Sequence, residues 1–112
     1  MAAVKAINKQ VGISPKRVRL VLNAIKGMPV KQALDRLQFT AGPTAAKVAA
    51  VLRSAASNAE NNAGMDPTRL KVVNAYADQA VKMRRFRANS RGRAGRVERE
   101  ASHITILVDE AV

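Results

Sequence analysis

The sequence predicts an α+β fold in which three helices pack on a small sheet and a long basic arm projects from it. Three observations carry that expectation: apolar residues at helical spacing in three stretches between residues 14 and 61, two β-branched runs late in the chain, and an almost one-signed charge between those runs.

The elements follow in order. Val4 to Ile13 reads as a weak strand, with Val4, Ala6 and Ile7 or Val11 set among polar residues and Gly12 marking a bulge or the exit. Ser14-Pro15 is a strong helix start: the Ser hydroxyl can cap free amides, and Pro suits the first helical position. Val18, Val21, Leu22 and Ile25 line one face, and Gly27 ends the helix. Met28-Pro29 opens a second short helix with Val30, Ala33, Leu34 and Leu37 in phase, and Phe39 is expected to cap the core. After the break at Thr40-Ala41-Gly42-Pro43, a third helix is expected from residue 43 or 44 to about residue 61. Its stripe of Ala45, Val48, Ala49, Leu52, Ala55, Ala56 and Ala59 is mostly small, which lets neighbouring backbones approach closely. Asn61, Asn62 and Gly64 suit a left-handed cap, and Met65-Asp66-Pro67-Thr68 turns into the next strand.

Leu70–Ala77 and His103–Val108 are the two late strands. Ile104, Ile106 and Val108 share the face expected to lie on the helices, while Thr105 and His103 are expected to face solvent, leaving the outer sheet face partly uncovered. Val, Leu, Ile and Ala must supply most of the core, because the chain has only two Phe, one Tyr and no Trp.

At 112 residues the chain is expected to be one domain, with a globular body over 1–78 and 101–112 and a basic hairpin over about 79–100. Lys and Arg number 20 against 8 Asp and Glu, a formal charge of +12 with a pI near 11.4. Such a domain is attracted to polyanions, so nucleic acid or an anionic membrane is the default partner class. The membrane loses, because no segment is a spanning stretch and the basic region lacks an apolar face; no membrane insertion is expected. Met1 to Lys5 has no apolar signal core, and the absence of Cys excludes disulfides and thiolate metal sites and fits a reducing cytosol.

The arm is the stretch from Lys82 to Arg99. Lys82, Arg84, Arg85, Arg87, Arg91, Arg93, Arg96 and Arg99 face one acid, Glu98. Folding this run against its own basic domain would bring like charges together. Arginine dominates it, and a planar guanidinium grips a phosphate with two hydrogen bonds or stacks on a base, which an ammonium cannot do. A basic run can also be a disordered tail, but this one is internal and flanked by strands. With those strands antiparallel and Tyr76 roughly opposite His103, the turn falls near Asn89-Ser90. Each side of the arm is then about a dozen residues, of order 40 Å at strand rise, too long for a core of this size to bury. Lys16, Arg17 and Arg19 form a second basic group in the first turns of the first helix. They are either a solvated face or, since cations there oppose the helix dipole, the contact of an external anion.

No enzyme constellation is visible. The eight acids are scattered without metal-ligand spacing, no Ser or Thr sits in a nucleophile motif, and His103 reads as a structural hydrogen-bonder. Gly92-Arg93-Ala94-Gly95-Arg96 is neither a Walker loop nor a dinucleotide fingerprint. No catalytic residue, metal or cofactor is expected.

Three separated motifs, Ser14-Pro15-Lys16-Arg17-Val18-Arg19-Leu20-Val21, Ala55-Ala56-Ser57-Asn58-Ala59-Glu60-Asn61-Asn62, and Arg91-Gly92-Arg93 followed by Ser102-His103-Ile104-Thr105-Ile106, resemble the large-ribosomal-subunit protein family twenty-two of bacterial type, over essentially the whole chain. The resemblance implies three helices packed on a three-stranded antiparallel sheet, with a long protruding β-hairpin. It also implies that the body binds large-subunit rRNA and aids its assembly, while the hairpin lines the nascent-peptide exit tunnel. Partners so implied are large-subunit rRNA, other large-subunit ribosomal proteins and the nascent peptide, with the chain monomeric when free and cytoplasmic in the ribosome. Arg84, Ser90, Gly92, Arg93, His103 and Ile104 fit the family's hairpin pattern. Arg85, Phe86, Arg87, Ala88, Asn89 and Ser90 are the implied tunnel-lining tip. Ala88 stands where Pro is common, Asn89 where Arg or His is usual, and Ala80-Val81 replaces a frequent Gly-Pro.

The rRNA-binding set is therefore Lys16, Arg17, Arg19, Lys82, Arg84, Arg85, Arg87, Arg91, Gly92, Arg93, Arg96 and Arg99, with Phe86 either wedged against a base or making a cross-strand contact. Two other readings stay open on the residues alone: a DNA-binding protein with a basic β-arm in the minor groove, and a basic module with a disordered loop.

Overall fold

The computed structural model describes residues 3–40, 42–80, 83–88 and 94–110. The order is β1 (Val4–Val11), α1 (Pro15–Ile25), α2 (Val30–Phe39), α3 (Pro43–Ala63), a 3₁₀ turn (Pro67–Arg69), β2 (Leu70–Gln79), β3 (Met83–Ala88), β4 (Ala94–Arg99) and β5 (Ser102–Glu110). The α+β architecture is the one expected. An antiparallel sheet in the order β1-β5-β2 carries the helices on one face, and β3 and β4 form a separate antiparallel ladder.

Each helix begins and ends for a local reason. Pro15 and Pro43 stand at the first positions of α1 and α3, where a missing N–H costs nothing. Gly64 ends α3 in the left-handed region (φ 66°), and the Met65 amide donates back to the Ala59 carbonyl at 3.0 Å. The Ser14 hydroxyl makes no capping bond, against expectation. Pro15 fixes the entry angle and the Ser14 carbonyl accepts the Val18 amide at 3.3 Å, so the helix starts without it.

The core lies between the helices and the inner sheet face. Val18, Leu22 and Ile25 of α1, Val30, Ala33 and Leu37 of α2, and Val48, Leu52, Ala55 and Ala59 of α3 are buried against Val72, Ala75, Ile104, Ile106 and Val108. The alternation of β2 survives a bulge, because the register advances by one between Val72 and Asn74 and brings Ala75 and Ala77 back to the inner face.

Two side chains expected from the sequence lie elsewhere. Phe39 is 85 % exposed. It follows the buried Leu37 by two positions, about 200° around the helix, so it stands opposite the core. Thr105 is 4 % exposed, because on the centre strand it is flanked by the larger Ile7 of β1 and Tyr76 of β2. Tyr76 therefore pairs with Thr105, and Asp78 takes the place opposite His103.

The molecule is long. Its radius of gyration is 17.0 Å, against about 13 Å for a compact chain of this length, and its principal extents are 63 × 26 × 18 Å.

Candidate nucleic-acid interface

Arg84, Arg85, Arg87, Arg96 and Arg99 of the late run fall on the β3–β4 ladder. The register pairs Met83 with Arg99, Arg84 with Glu98, Arg85 with Val97, Phe86 with Arg96, Arg87 with Gly95 and Ala88 with Ala94. Every rung but Ala88–Ala94 thus carries an arginine. Lys82, Asn89, Ser90, Arg91, Gly92 and Arg93 lie outside the described residues. The residue numbers of each rung sum one higher in this ladder than in the adjoining part of β2–β5, from Asn74–Leu107 to Gln79–Ser102. The passage from β2 to β3 therefore counts one residue more than the passage from β4 to β5.

The root of the ladder is tied to the body at several points. The Ala80 amide donates to the Ala101 carbonyl at 2.9 Å, and both residues are buried. The Ser102 hydroxyl, fully buried, donates to the Ile13 carbonyl at 2.9 Å. Arg19 donates from Nε (3.2 Å) and Nη2 (2.9 Å) to the Ala77 carbonyl. Sequence reasoning missed Ser102 because nothing distinguishes a hydroxyl at a strand start from an exposed one until the partner carbonyl is placed.

The expected α1 group divides accordingly. Lys16, Arg17 and Arg19 are all exposed, and of the three the Arg19 guanidinium also donates to a strand carbonyl. Arg17 lines an open cavity of about 660 Å³ together with Ser14, Thr44 and Glu100. The first turns of α1 and α3 border it, and neither contains an acid or a side-chain cap, so their amides add positive potential. Glu100 is the opposing charge there, a residue the sequence alone did not connect with α1. The cavity therefore lies where the α1 cations meet the root of the arm.

Exposed apolar side chains mark the rest of the surface. Ile7 (46 %), Val73 (48 %) and Tyr76 (41 %) stand on the outer sheet face, and Leu20 (75 %) on the outer side of α1. Leu20 was legible, since it falls outside the Val18-Val21-Leu22-Ile25 phase. Among the described residues no group of three or more His, Asp or Glu could hold a metal ion, and no helix is long and apolar enough to cross a membrane.

This geometry coincides with clear similarities to known proteins. The family model described as ribosomal protein L22p/L17e matches residues 6–109. A large ribosomal subunit protein uL22 from Dehalococcoides mccartyi is 44 % identical over 105 residues, covering 94 % of this chain and 96 % of the relative. The uL22 protein of Thermomicrobium roseum is 42 % identical over 107 residues (96 % and 91 %), and that of Clostridium acetobutylicum 43 % over 106 residues (95 % and 96 %).

Proposed function

Since the chain belongs to the ribosomal protein L22p/L17e family, we propose that it is a non-enzymatic structural constituent of the large ribosomal subunit that binds large-subunit rRNA and aids its assembly, with its hairpin lining the nascent-peptide exit tunnel. Its place is the cytoplasmic ribosome, among rRNA and other large-subunit proteins, with the nascent peptide passing the tip. The single observation that carries the RNA-binding part is the β3–β4 ladder, with arginine on all rungs but one and pairing with no other described strand. Such a ladder is costly to hold against a body of like charge, and it suits a partner that surrounds it with phosphates. Lys16 and Arg17 of α1 extend the interface at its root, with Arg84, Arg85, Arg87, Arg96 and Arg99 along the ladder and Lys82, Arg91, Gly92 and Arg93 completing the arm.

The test is binding of the purified chain to large-subunit rRNA and to duplex DNA of equal length over a salt series. An rRNA preference that persists near physiological salt, and disappears when residues 82–99 are replaced by a short turn, supports the proposal. Equal affinity for both polymers that vanishes with salt overturns it.

A further inference from the structure

We infer that Arg19 is a positioning residue, which fixes the direction of the arm relative to the α1 cations, and does not itself hold a phosphate; this rests on the RNA-binding reading above. The argument begins at the edge of the sheet. β2 is an outer strand, and an open edge presents backbone groups that need partners. Four of those groups have partners along the strand. The Val72 amide donates to the Met28 carbonyl at 2.8 Å and the Val72 carbonyl accepts the Gly27 amide at 2.9 Å. The Ala75 amide donates to the Asn74 Oδ1 at 2.9 Å. The Ala77 carbonyl then accepts both Nε and Nη2 of Arg19, the helix side chain that reaches β2 nearest the arm.

Two features make this a clasp. Arg19 follows the fully buried Val18, so its backbone is anchored in the core, and Ala77 is itself buried at 3 %. The returning strand is held from the same part of the chain, because Ser102 of β5 donates to the carbonyl of Ile13, just before α1. The segment from Ile13 to Arg19 therefore grips both strands at the arm's root. Lys16 and Arg17 lie within that segment, so a fixed root presents them and the arm to one RNA surface together. A rigid link between two contacts raises the effective concentration of the second once the first has formed.

The experiment compares the full chain with R19M and R19K. R19M removes the donors, while R19K keeps the charge but not the two-donor fork, and it serves alone should R19M not fold. The chain has no cysteine, so spin labels go only to introduced thiols, Q32C on α2 and A88C at the end of β3. The expected result is one narrow inter-label distance in the parent chain that broadens in both variants. Affinity for large-subunit rRNA falls by roughly ten-fold in both, with the slope of log K against log salt unchanged. Unchanged distances overturn the inference. So does a slope that drops by about 1 in R19M while R19K binds like the parent, since that is the signature of a lost phosphate contact. A parent chain with no preference for rRNA defeats the RNA-binding reading instead, and the distance measurement on the free protein still decides the clasp.

Discussion

Ser102 and Ile13, 89 residues apart in sequence, are joined by a 2.9 Å hydrogen bond from the Ser102 hydroxyl to the Ile13 carbonyl. The hydroxyl is fully buried, and the carbonyl belongs to the short passage between β1 and α1, where no ladder provides a partner. Removing the donor takes away a partly buried hydrogen bond, which typically costs about 0.5–1.5 kcal/mol. Ser102→Ala is expected to lower the unfolding free energy by that amount, read as a lower urea midpoint at an unchanged m-value. A midpoint equal to the parent's would show that water replaces the hydroxyl.

Phe39 has the opposite character. At 85 % exposure on the side of α2 away from Leu37, it contributes little to the folded chain. Phe39→Ser is therefore expected to change unfolding free energy by less than about 0.5 kcal/mol, as surface substitutions generally do. A loss above about 2 kcal/mol in a thermal melt would place the ring in the core after all.

The helices, the late strands and the arm were legible because each rests on a period or a charge run that local residues set. Val18-Leu22-Ile25 and Ile104-Ile106-Val108 state their inner faces without reference to the rest of the chain. What stayed illegible depends on a neighbour. Thr105 alternates as an outward residue and is buried only because Ile7 and Tyr76 flank it. Arg19 looks like its neighbours Lys16 and Arg17 until β2 brings the Ala77 carbonyl beneath it. The register between β2 and β5 lies two positions from the expected one for a similar reason: a bulge and a run of similar apolar residues leave several alignments with the same apolar face.

The small-residue stripe of α3 suits a close approach of its neighbours, and its geometry gives that reading a test. Ala55 is fully buried in a helix that packs on both the sheet and the other two helices. Ala55→Leu adds three carbons where neighbouring elements already meet, and overpacking of this kind costs about 1–3 kcal/mol. The expected result is a lowered thermal midpoint with retained helical circular dichroism. A stabilised variant would reveal unfilled space beside α3.

Asp66 links stability to acid. Its carboxylate accepts the Thr68 hydroxyl at 2.8 Å and the Thr68 amide at 3.0 Å, and these bonds hold its pKa below the ordinary 3.8. A depressed carboxylate pKa stabilises the fold fully above its unfolded value, and that contribution is lost as pH falls through the folded value. Between about pH 5 and 2 the parent's thermal midpoint should fall more steeply than that of Asp66→Asn, with the two slopes converging above that window. Parallel slopes throughout would mean that the turn does not depend on the charge.

The arm and the body should be separable in their energetics. Arg84 and Arg85 occupy consecutive rungs of a ladder that pairs with no other described strand, opposite Glu98 and Val97. Their joint replacement by Ala is expected to leave the body's unfolding free energy within about 0.5 kcal/mol of the parent. Binding to large-subunit rRNA should weaken, and the slope of log K against log salt should fall by up to about 2, one for each phosphate contact removed. The two readouts decide between different failures. A large drop in the unfolding midpoint would mean that the arm is part of the core's cooperative unit. An unchanged salt slope would assign the RNA contact to other cations, with Lys16 and Arg17 at the root the first to replace in turn.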